Sequence, residues 1–347
     1  MATLSAFPSS LARWLSIAWL TLLALVALLA PVLPLPYAPG LPDLAHAAQA
    51  PFEAGQHWLG TDAQGRDVLS GLVFGARTAL FLTLPAAVLA ALFGALAGGA
   101  AGFWGNKLRL PWPLVAAAGS GAWWTLNLPG AALAVALGAG LTLRLLLRSR
   151  RQPAGPAGCP LPLDALVLST AATLDTVPRL VLVLVLAATT SLTGLGLALL
   201  LACTAWPGPA RLVRAQMLSV RAQPFVEAAR AAGLPAGRVW WRHALPLAVQ
   251  PLRTALPLSL AGLLGLESTL SFLGVGLPPE VASWGQQLAT VRHDSSLWWA
   301  FCFPAALLCL SMLSAISLAR SVGASPGQTT RRNQARIRPL YPKIMKE

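Results

Sequence analysis

The stretch Phe225-Val-Glu-Ala-Ala-Arg-Ala-Ala-Gly-Leu-Pro235 lies in a basic loop between two long apolar segments of the chain. Pro224 suits the first turn of a helix, and Glu227 falls in that turn, where a carboxylate interacts favourably with the helix dipole. The alanines favour helix and add little bulk, while Gly233 and Pro235 mark its end. The sequence therefore predicts a short, smooth helix that can bind a groove on a soluble partner; contact with lipid headgroups is the alternative.

The composition indicates that this loop belongs to a membrane protein. Of the 347 residues, 56% are apolar and 10% are charged, whereas soluble domains are about 25% charged. So few charges cannot cover the surface of a water-soluble protein of this size. A soluble enzyme, a disordered chain and a nucleic-acid-binding protein are all disfavoured, and the net charge of +14 indicates Lys and Arg in cytoplasmic loops.

Several apolar runs are long enough to cross a bilayer, which takes about 20 residues. They are residues 14–35, 79–102, 111–147, 163–190, 195–213, 245–273 and 297–318. The first run exceeds the apolar core of a signal peptide, which has about 7–15 residues. This favours a retained first span over a cleaved signal peptide, the alternative reading.

The distribution of Lys and Arg orients these runs, because cytoplasmic loops carry the excess of positive charge. The basic segments are the N-terminus and residues 107–109, 144–151, 211–242 and 320–346. Both termini are therefore predicted to be cytoplasmic. The run at 111–147 has basic flanks on both sides, which requires an even number of crossings. A helical hairpin that turns at Pro129-Gly130 fits, giving eight crossings in all, and a re-entrant hairpin is the alternative.

A longer pattern surrounds the predicted short helix. The Glu227-Ala-Ala sequence is followed by Gly233 and, further on, by Leu245-Pro246. This spacing resembles the EAA loop of ABC importer permeases, which docks onto the ATPase subunit. The resemblance implies that the ATPase-coupling residues are Glu227, Ala228, Ala229, Arg230, Gly233, Leu245 and Pro246.

Further motifs narrow the resemblance to permeases of the dipeptide, oligopeptide and nickel importer family. They are His57-Trp-Leu-Gly-Thr-Asp-Ala-Gln-Gly-Arg-Asp67, Ala101-Gly-Phe-Trp-Gly105, Trp206-Pro-Gly-Pro-Ala-Arg-Leu-Val-Arg214, Ser271-Phe-Leu-Gly-Val-Gly276 and Ser283-Trp-Gly285. The resemblance as a whole covers roughly residues 52–105 and 163–320. Three features depart from the family pattern: residues 106–162 are interposed, Leu247 replaces the usual Asn, and Ser317-Leu-Ala-Arg-Ser-Val-Gly323 replaces the usual C-terminal motif.

The resemblance implies an all-α polytopic membrane protein with the type I ABC importer transmembrane fold, with six core spans plus an inserted apolar hairpin. The predicted organisation is an N-terminal anchor span and outer loop over residues 1–76 and a permease domain over 77–320. The insertion at 106–162 lies within that domain, and a basic cytoplasmic tail occupies 321–347. The predicted location is the bacterial cytoplasmic (inner) membrane.

The same resemblance implies a permease subunit of an ATP-driven importer for short peptides or a related small solute. The implied partners are a second homologous permease, two ATPase subunits, an extracytoplasmic substrate-binding protein and membrane lipid, with no nucleic acid. The sequence has no P-loop motif, so we expect no enzyme activity and no cofactor in this chain, with ATP acting at the ATPase. The alternatives are an importer subunit for nickel or another peptide-like solute, and, in other classes, a non-ABC membrane scaffold or a secondary transporter.

Candidates for the outer face and substrate path are Glu267, Trp284, Asp62, Arg66 and Asp67. Glu267 lies 21 residues after Pro246, or about 31 Å along a helix, which places it near the outer membrane face. An ionisable residue in a span is a functional candidate by default; the alternative is a carboxylate that ties down the outer loop by hydrogen bonds. Asp62, Arg66 and Asp67 are interpreted as a salt-bridged turn, with a direct substrate role as the alternative.

The histidines give no reason to predict a metal site. They are His46, His57, His243 and His293, and no two of them share the spacing of metal ligands. We therefore expect no metal site in this chain.

Overall fold

The computed structural model describes residues 9–53, 57–106, 108–110, 159–189, 193–278, 280–292 and 294–323. The predicted hairpin at 111–147 and the C-terminal tail beyond residue 323 lie outside the described residues. The division into segments 1–76, 77–320 and 321–347 stays a prediction.

Twelve helices make up most of the described chain. They are α1 (Ser9–Leu29), α2 (Val68–Trp104), α3 (Leu163–Thr176), α4 (Arg179–Thr189), α5 (Gly194–Ala205), α6 (Pro207–Val220), α7 (Pro224–Ala231), α8 (Ala236–Val239), α9 (Leu245–Ala248), α10 (Leu252–Phe272), α11 (Trp284–Ala289) and α12 (Trp298–Gly323). Single 3-10 turns occur at Leu44–His46 and Thr290–Arg292, and a π-helical turn, Trp240–Ala244, joins α8 to α9.

Four of the described helices, α1, α2, α10 and α12, are long and apolar enough to cross a membrane. Two further candidates are bent pairs: α3 and α4 meet at 80°, and α5 and α6 meet at 42°. The described chain therefore holds up to six spans if each bent pair counts as one. A multi-pass helical protein is confirmed, while the count of six core spans stays a prediction.

The two bends fall at prolines. Val177 has an extended conformation with φ of −97° and ψ of 128°, as expected for a residue that precedes a proline, here Pro178. Pro207 begins α6 directly after Trp206 and has no N–H to continue the hydrogen bonding of α5. Apolar runs that read as continuous in the sequence are therefore broken in the structure.

Helix α2 is the central element of the fold. It has 37 residues, or about 55 Å, against a hydrocarbon thickness of about 30 Å, so it extends well beyond the apolar run at 79–102. It packs closely against α6: a Cβ at Gly98 would lie 2.0 Å from the carbonyl oxygen of Ala210. Small residues at such contacts let helix backbones approach closely in lipid.

The all-α class is confirmed, with one small addition. Two three-residue strands, β1 (Leu108–Leu110) and β2 (Cys159–Leu161), pair antiparallel at the base of the insertion, with Leu108 opposite Leu161. The physical reason is that the chain leaves and re-enters the helical core at one place, so the outgoing and returning segments run side by side and satisfy each other's backbone groups.

Candidate functional site

Helix α7 forms where local sequence rules predict it. Gln223 is extended at the N-cap, Pro224 starts the helix and Glu227 lies in its first turn. Gly233 then has a φ of +76°, and its N–H donates to the carbonyl oxygen of Arg230 at 3.0 Å. A Cβ at Gly233 would meet no atom within 4 Å, so this position requires glycine for its backbone conformation rather than for space.

One face of α7 is anchored on the core. Val226 is fully buried, with 0% of its surface exposed. It belongs to a hydrophobic cluster, here called the anchor cluster, whose buried members are Ala95, Phe103, Val213, Met217, Val220, Val226, Val239, Ala244, Leu245 and Ala248. Ala229 and Leu234 pack against this cluster from the edge. Helix α7 is therefore fastened to α2 and α6 through a single apolar face.

The other face of α7 is exposed. Three of the predicted coupling residues lie there, Glu227, Ala228 and Arg230, and Gly233 is exposed just beyond the end of the helix. Their neighbour Phe225 is 39% exposed. The guanidinium of Arg230 lies 5.2 Å from the centre of the Phe103 ring, which holds the end of α7 against α2. This arrangement presents a small-residue ridge, flanked by one acid and one base, on a rigid support.

The remaining predicted coupling residues lie elsewhere. Leu245 is buried in the anchor cluster, where its side chain packs on α2 close to Gly99. Pro246 is exposed at the start of α9. Leu245 therefore packs in the cluster that anchors α7 and is not part of the exposed ridge.

At the opposite end of α2, the loop at 57–67 is held by carboxylates. Asp62 Oδ1 accepts the backbone N–H groups of Gln64 and Arg66, both at 2.8 Å. Asp67 caps α2 by accepting the N–H of Ser70 at 2.7 Å through Oδ2, and its Oδ1 lies 2.9 Å from His57 Nδ1. The acids of this loop thus shape the turn and start the long helix.

Trp299 fastens this loop to α12. Its indole N–H donates to the carbonyl oxygen of Thr61 at 3.0 Å, and the Thr61 hydroxyl donates to the carbonyl oxygen of His46 at 2.6 Å. The loop and the preceding segment are consequently held in one position relative to the helices.

Glu267 joins α10 to the loop before α11. The side chain is 1% exposed and accepts hydrogen bonds from Ser271 at 2.9 Å and Ser268 at 3.2 Å. Ser283, which caps α11, lies close to the same carboxylate. Next to it, the buried Trp284 donates its indole N–H to the carbonyl oxygen of Leu72 at 3.0 Å. This geometry fits the alternative in which the carboxylate holds the loop before α11 in place.

A cavity of about 420 Å³ lies between the 62–67 turn and the ends of α10 and α11. Its polar lining includes Asp62, Arg66, Asp67, Ser283, Gln287 and Arg292. Three of the five outer-face candidates therefore share one cavity. Glu267 and Trp284 lie behind its wall and do not line it.

Sequence reasoning missed two features. Arg214 of α6 forms an ion pair with Asp164 of α3, with Nη2 2.7 Å from Oδ2. The sequence contains both residues, but no pattern in it indicates that they form an ion pair. The second feature is a group of Asp43, His46 and His57, whose ligand atoms lie within 4.8 Å of one another; its members are separated in sequence and meet only because the loops fold together.

Comparisons with known proteins agree with this arrangement. Residues 160–331, which include α7 and its support α6, match the family described as binding-protein-dependent transport system inner membrane component. A Brucella suis protein named as a peptide transport system permease is 31% identical over 260 residues, covering 75% of this chain and 69% of the relative. The chain belongs to this family. The resemblance to ABC importer permeases is thereby confirmed.

Two further relatives of the permease have similar names. Another Brucella suis protein, named as a peptide permease, is 29% identical over 265 residues, covering 75% of this chain and 68% of the relative. A Sinorhizobium fredii protein named as a peptide ABC transporter permease is 44% identical over 105 residues, covering 29% of this chain and 36% of the relative. The family description and the apolar helices together establish a multi-pass membrane protein.

Proposed function

We propose that this permease is the transmembrane subunit of an ATP-driven importer and that α7 is its coupling helix. The observation that supports the proposal is that α7 has one buried face and one exposed face. Val226 is locked in the anchor cluster while Glu227, Ala228 and Arg230 face outward. An exposed helix with so little bulk suits insertion into a groove on a soluble partner.

The proposed assembly follows from family membership. A second homologous permease completes the pore in the type I importer fold, two ATPase subunits dock on the coupling helices, and a binding protein delivers substrate to the outer face. ATP acts at the ATPase, and this chain carries no cofactor of its own. The permease lies in the bacterial inner membrane with both termini cytoplasmic, which puts the basic loop around α7 on the ATPase side.

The packing around α7 supports a mechanism in which α7 acts as a lever that moves together with the helices it contacts. Movement of α7 is transmitted to α6 through the anchor cluster, to α2 through the close contact at Gly98, and to α3 through the ion pair of Arg214 with Asp164. A conformational change requires different contacts in the two states. The ATPase supplies that difference by closing on ATP and opening after hydrolysis.

Short peptides are the proposed substrate class. Support comes from the names of the relatives in Brucella suis and Sinorhizobium fredii, which describe peptide permeases. The polar cavity beside Asp62, Arg66 and Asp67 offers charges of both signs, which suits a solute with an amino and a carboxyl end.

The test reverses charge or adds bulk on the exposed ridge. Glu227→Lys and Gly233→Asp should abolish both ATPase co-purification and ATP-driven peptide uptake while the protein still inserts in the membrane. Glu280→Lys is the matched control for docking, because it makes the same charge change at an exposed position far from α7 in the chain. Normal uptake by the α7 variants would refute the coupling role. Failure of any ATPase to co-purify with the wild-type chain would favour a scaffold or a secondary transporter.

A further inference from the structure

The segment around Asp43 folds back onto the loop at 57–67. The Asp43 N–H donates to the carbonyl oxygen of Gly65 at 2.9 Å, and Pro42 forms a β-bridge with Arg66. The Ala48 N–H donates to the carbonyl oxygen of Asp62 at 3.0 Å. Backbone contacts on both sides therefore fix the position of the side chains between them.

Three potential metal ligands lie close together where the segment around Asp43 meets the loop at 57–67. They are a carboxylate oxygen of Asp43 and one ring nitrogen each of His46 and His57, and all lie within 4.8 Å of one another. His46 Nδ1 lies 2.8 Å from Asp43 Oδ2, and His57 Nε2 lies 3.8 Å from the same oxygen. In a tetrahedral site with bonds of about 2.0–2.1 Å, neighbouring ligand atoms are about 3.3 Å apart, so the two distances bracket the required spacing.

His57 is the side chain that points to a ligand. It is 1% exposed, and its Nδ1 lies 2.9 Å from Asp67 Oδ1. The Asp67 carboxylate accepts the hydrogen bond from Nδ1, so Nε2 is the ring nitrogen that is available to a ligand. Among the described residues Nε2 has no hydrogen-bond partner. A buried ring nitrogen without a hydrogen-bond partner therefore faces the Asp43 carboxylate, and a cation between the two groups would bind both.

We propose that Asp43, His46 and His57 bind a divalent transition-metal ion, with Zn²⁺ the favoured occupant. Two imidazoles and one carboxylate form a ligand set that zinc accepts, with water in the fourth position. His46 binds through Nδ1 by moving its proton to Nε2, and Asp43 exchanges its hydrogen bond to that ring for a bond to the metal.

Asp67 orients the site through His57. Metal-ligating histidines usually donate their other ring N–H to a carboxylate, which fixes the tautomer and strengthens the ligand. Asp67 does this while capping α2 through Ser70. Tyr37 stacks on the His57 ring at 4.0 Å between centroids and covers one of its faces. The bound ion would therefore join the segment at 43–46 to the start of α2.

The experiment measures metal binding by the purified full-length chain. After treatment with a chelator, Zn²⁺ is titrated in competition with a chromophoric chelator, and Co²⁺ is added separately to obtain the absorption spectrum of the site. The wild-type chain should bind one Zn²⁺ and give a tetrahedral Co²⁺ spectrum. His46→Ala, at a side chain that is 35% exposed, and Asp43→Asn should lose both signals. Asp67→Asn should weaken binding by about 10–100-fold.

His243→Ala is the matched control and should bind Zn²⁺ as the wild type does, because this histidine lies in the π-helical turn after α8 and is not a member of the cluster. Size-exclusion chromatography of each variant verifies that the chain remains folded. Absence of Zn²⁺ binding in the wild type, or equal binding by the folded His46→Ala variant, would overturn the proposal. Because the readout is metal binding and not uptake, this result is independent of the proposed transport function.

Discussion

The backbone N–H of Asp164 donates a hydrogen bond to the carbonyl oxygen of Gly105 at 3.3 Å, although the whole insertion lies between them in the sequence. The side chain of Asn106 repeats the connection by accepting the N–H of Ala165 at 3.3 Å. The end of α2 and the start of α3 are therefore adjacent, so the insertion leaves and returns at one point of the helical core.

The first prediction concerns this insertion. Replacing residues 107–162 with a short Gly-Ser linker should leave membrane insertion and ATPase co-purification unchanged, because the two ends already touch and the ion pair of Asp164 with Arg214 is retained. The measurement compares protein level in the membrane and recovered ATPase with those of the full chain. Loss of the protein from the membrane would show that the insertion supports the core.

The second prediction concerns the anchor of α7. Val226→Ala removes two buried carbons and should cost about 1.6 kcal/mol of local stability at about 0.8 kcal/mol for each. Hydrogen exchange of the α7 amides should therefore accelerate by about an order of magnitude. Phe225→Ala, at a 39% exposed position on the same helix, serves as the control and should change exchange much less. If both variants accelerated hydrogen exchange equally, the result would contradict the finding that α7 is anchored through one face only.

The third prediction compares two glycines in one loop. Gly233 has a φ of +76°, so Gly233→Ala should destabilise the end of α7 by about 1–2 kcal/mol. Gly237 lies inside α8 with no atom within 4 Å of an added Cβ, so Gly237→Ala should be neutral or stabilise by up to about 1 kcal/mol. Thermal unfolding and hydrogen exchange of both variants measure the difference. A tolerated alanine at 233 would remove the conformational reason for glycine there.

The fourth prediction concerns Glu267. Glu267→Ala leaves the buried hydroxyls of Ser268 and Ser271 without their acceptor, and each unsatisfied group costs about 1–3 kcal/mol. Helix α11 should lose protection from hydrogen exchange because Ser283, at its N-cap, packs beside this carboxylate. Thr269→Ala is the control, since the Thr269 hydroxyl bonds only within its own exposed turn. If α11 kept its protection from hydrogen exchange in Glu267→Ala, the result would contradict the role of Glu267 in holding the loop before α11.

Local rules explain why α7 was predictable and the bent pairs were not. Pro224, Glu227 and Gly233 each act within a turn of their own position, so the short helix follows from neighbouring residues alone. Hydropathy reports only how apolar a segment is. The runs at 163–190 and 195–213 therefore read as continuous, although Pro178 and Pro207 bend them.

The start of α2 shows the same limit. Hydropathy placed the second span at 79–102, but the helix begins at Val68 because Asp67 caps it. The cluster of Asp43, His46 and His57 was not predictable at all. Its members come together through backbone contacts between two loops, so the spacing of the histidines in the sequence contains no sign of it.

Site-specific cross-linking of α7 to the ATPase tests the central claim most directly. A chain with its native cysteines replaced would carry Ala228→Cys on the exposed ridge or, for comparison, Leu44→Cys, which is 79% exposed on the loop before α2. In the assembled transporter, a short bifunctional reagent should join position 228 to the ATPase and leave position 44 unlinked. Labelling of position 228 by a lipid-soluble probe, or from the exterior of intact cells, with no link to the ATPase, would contradict the account.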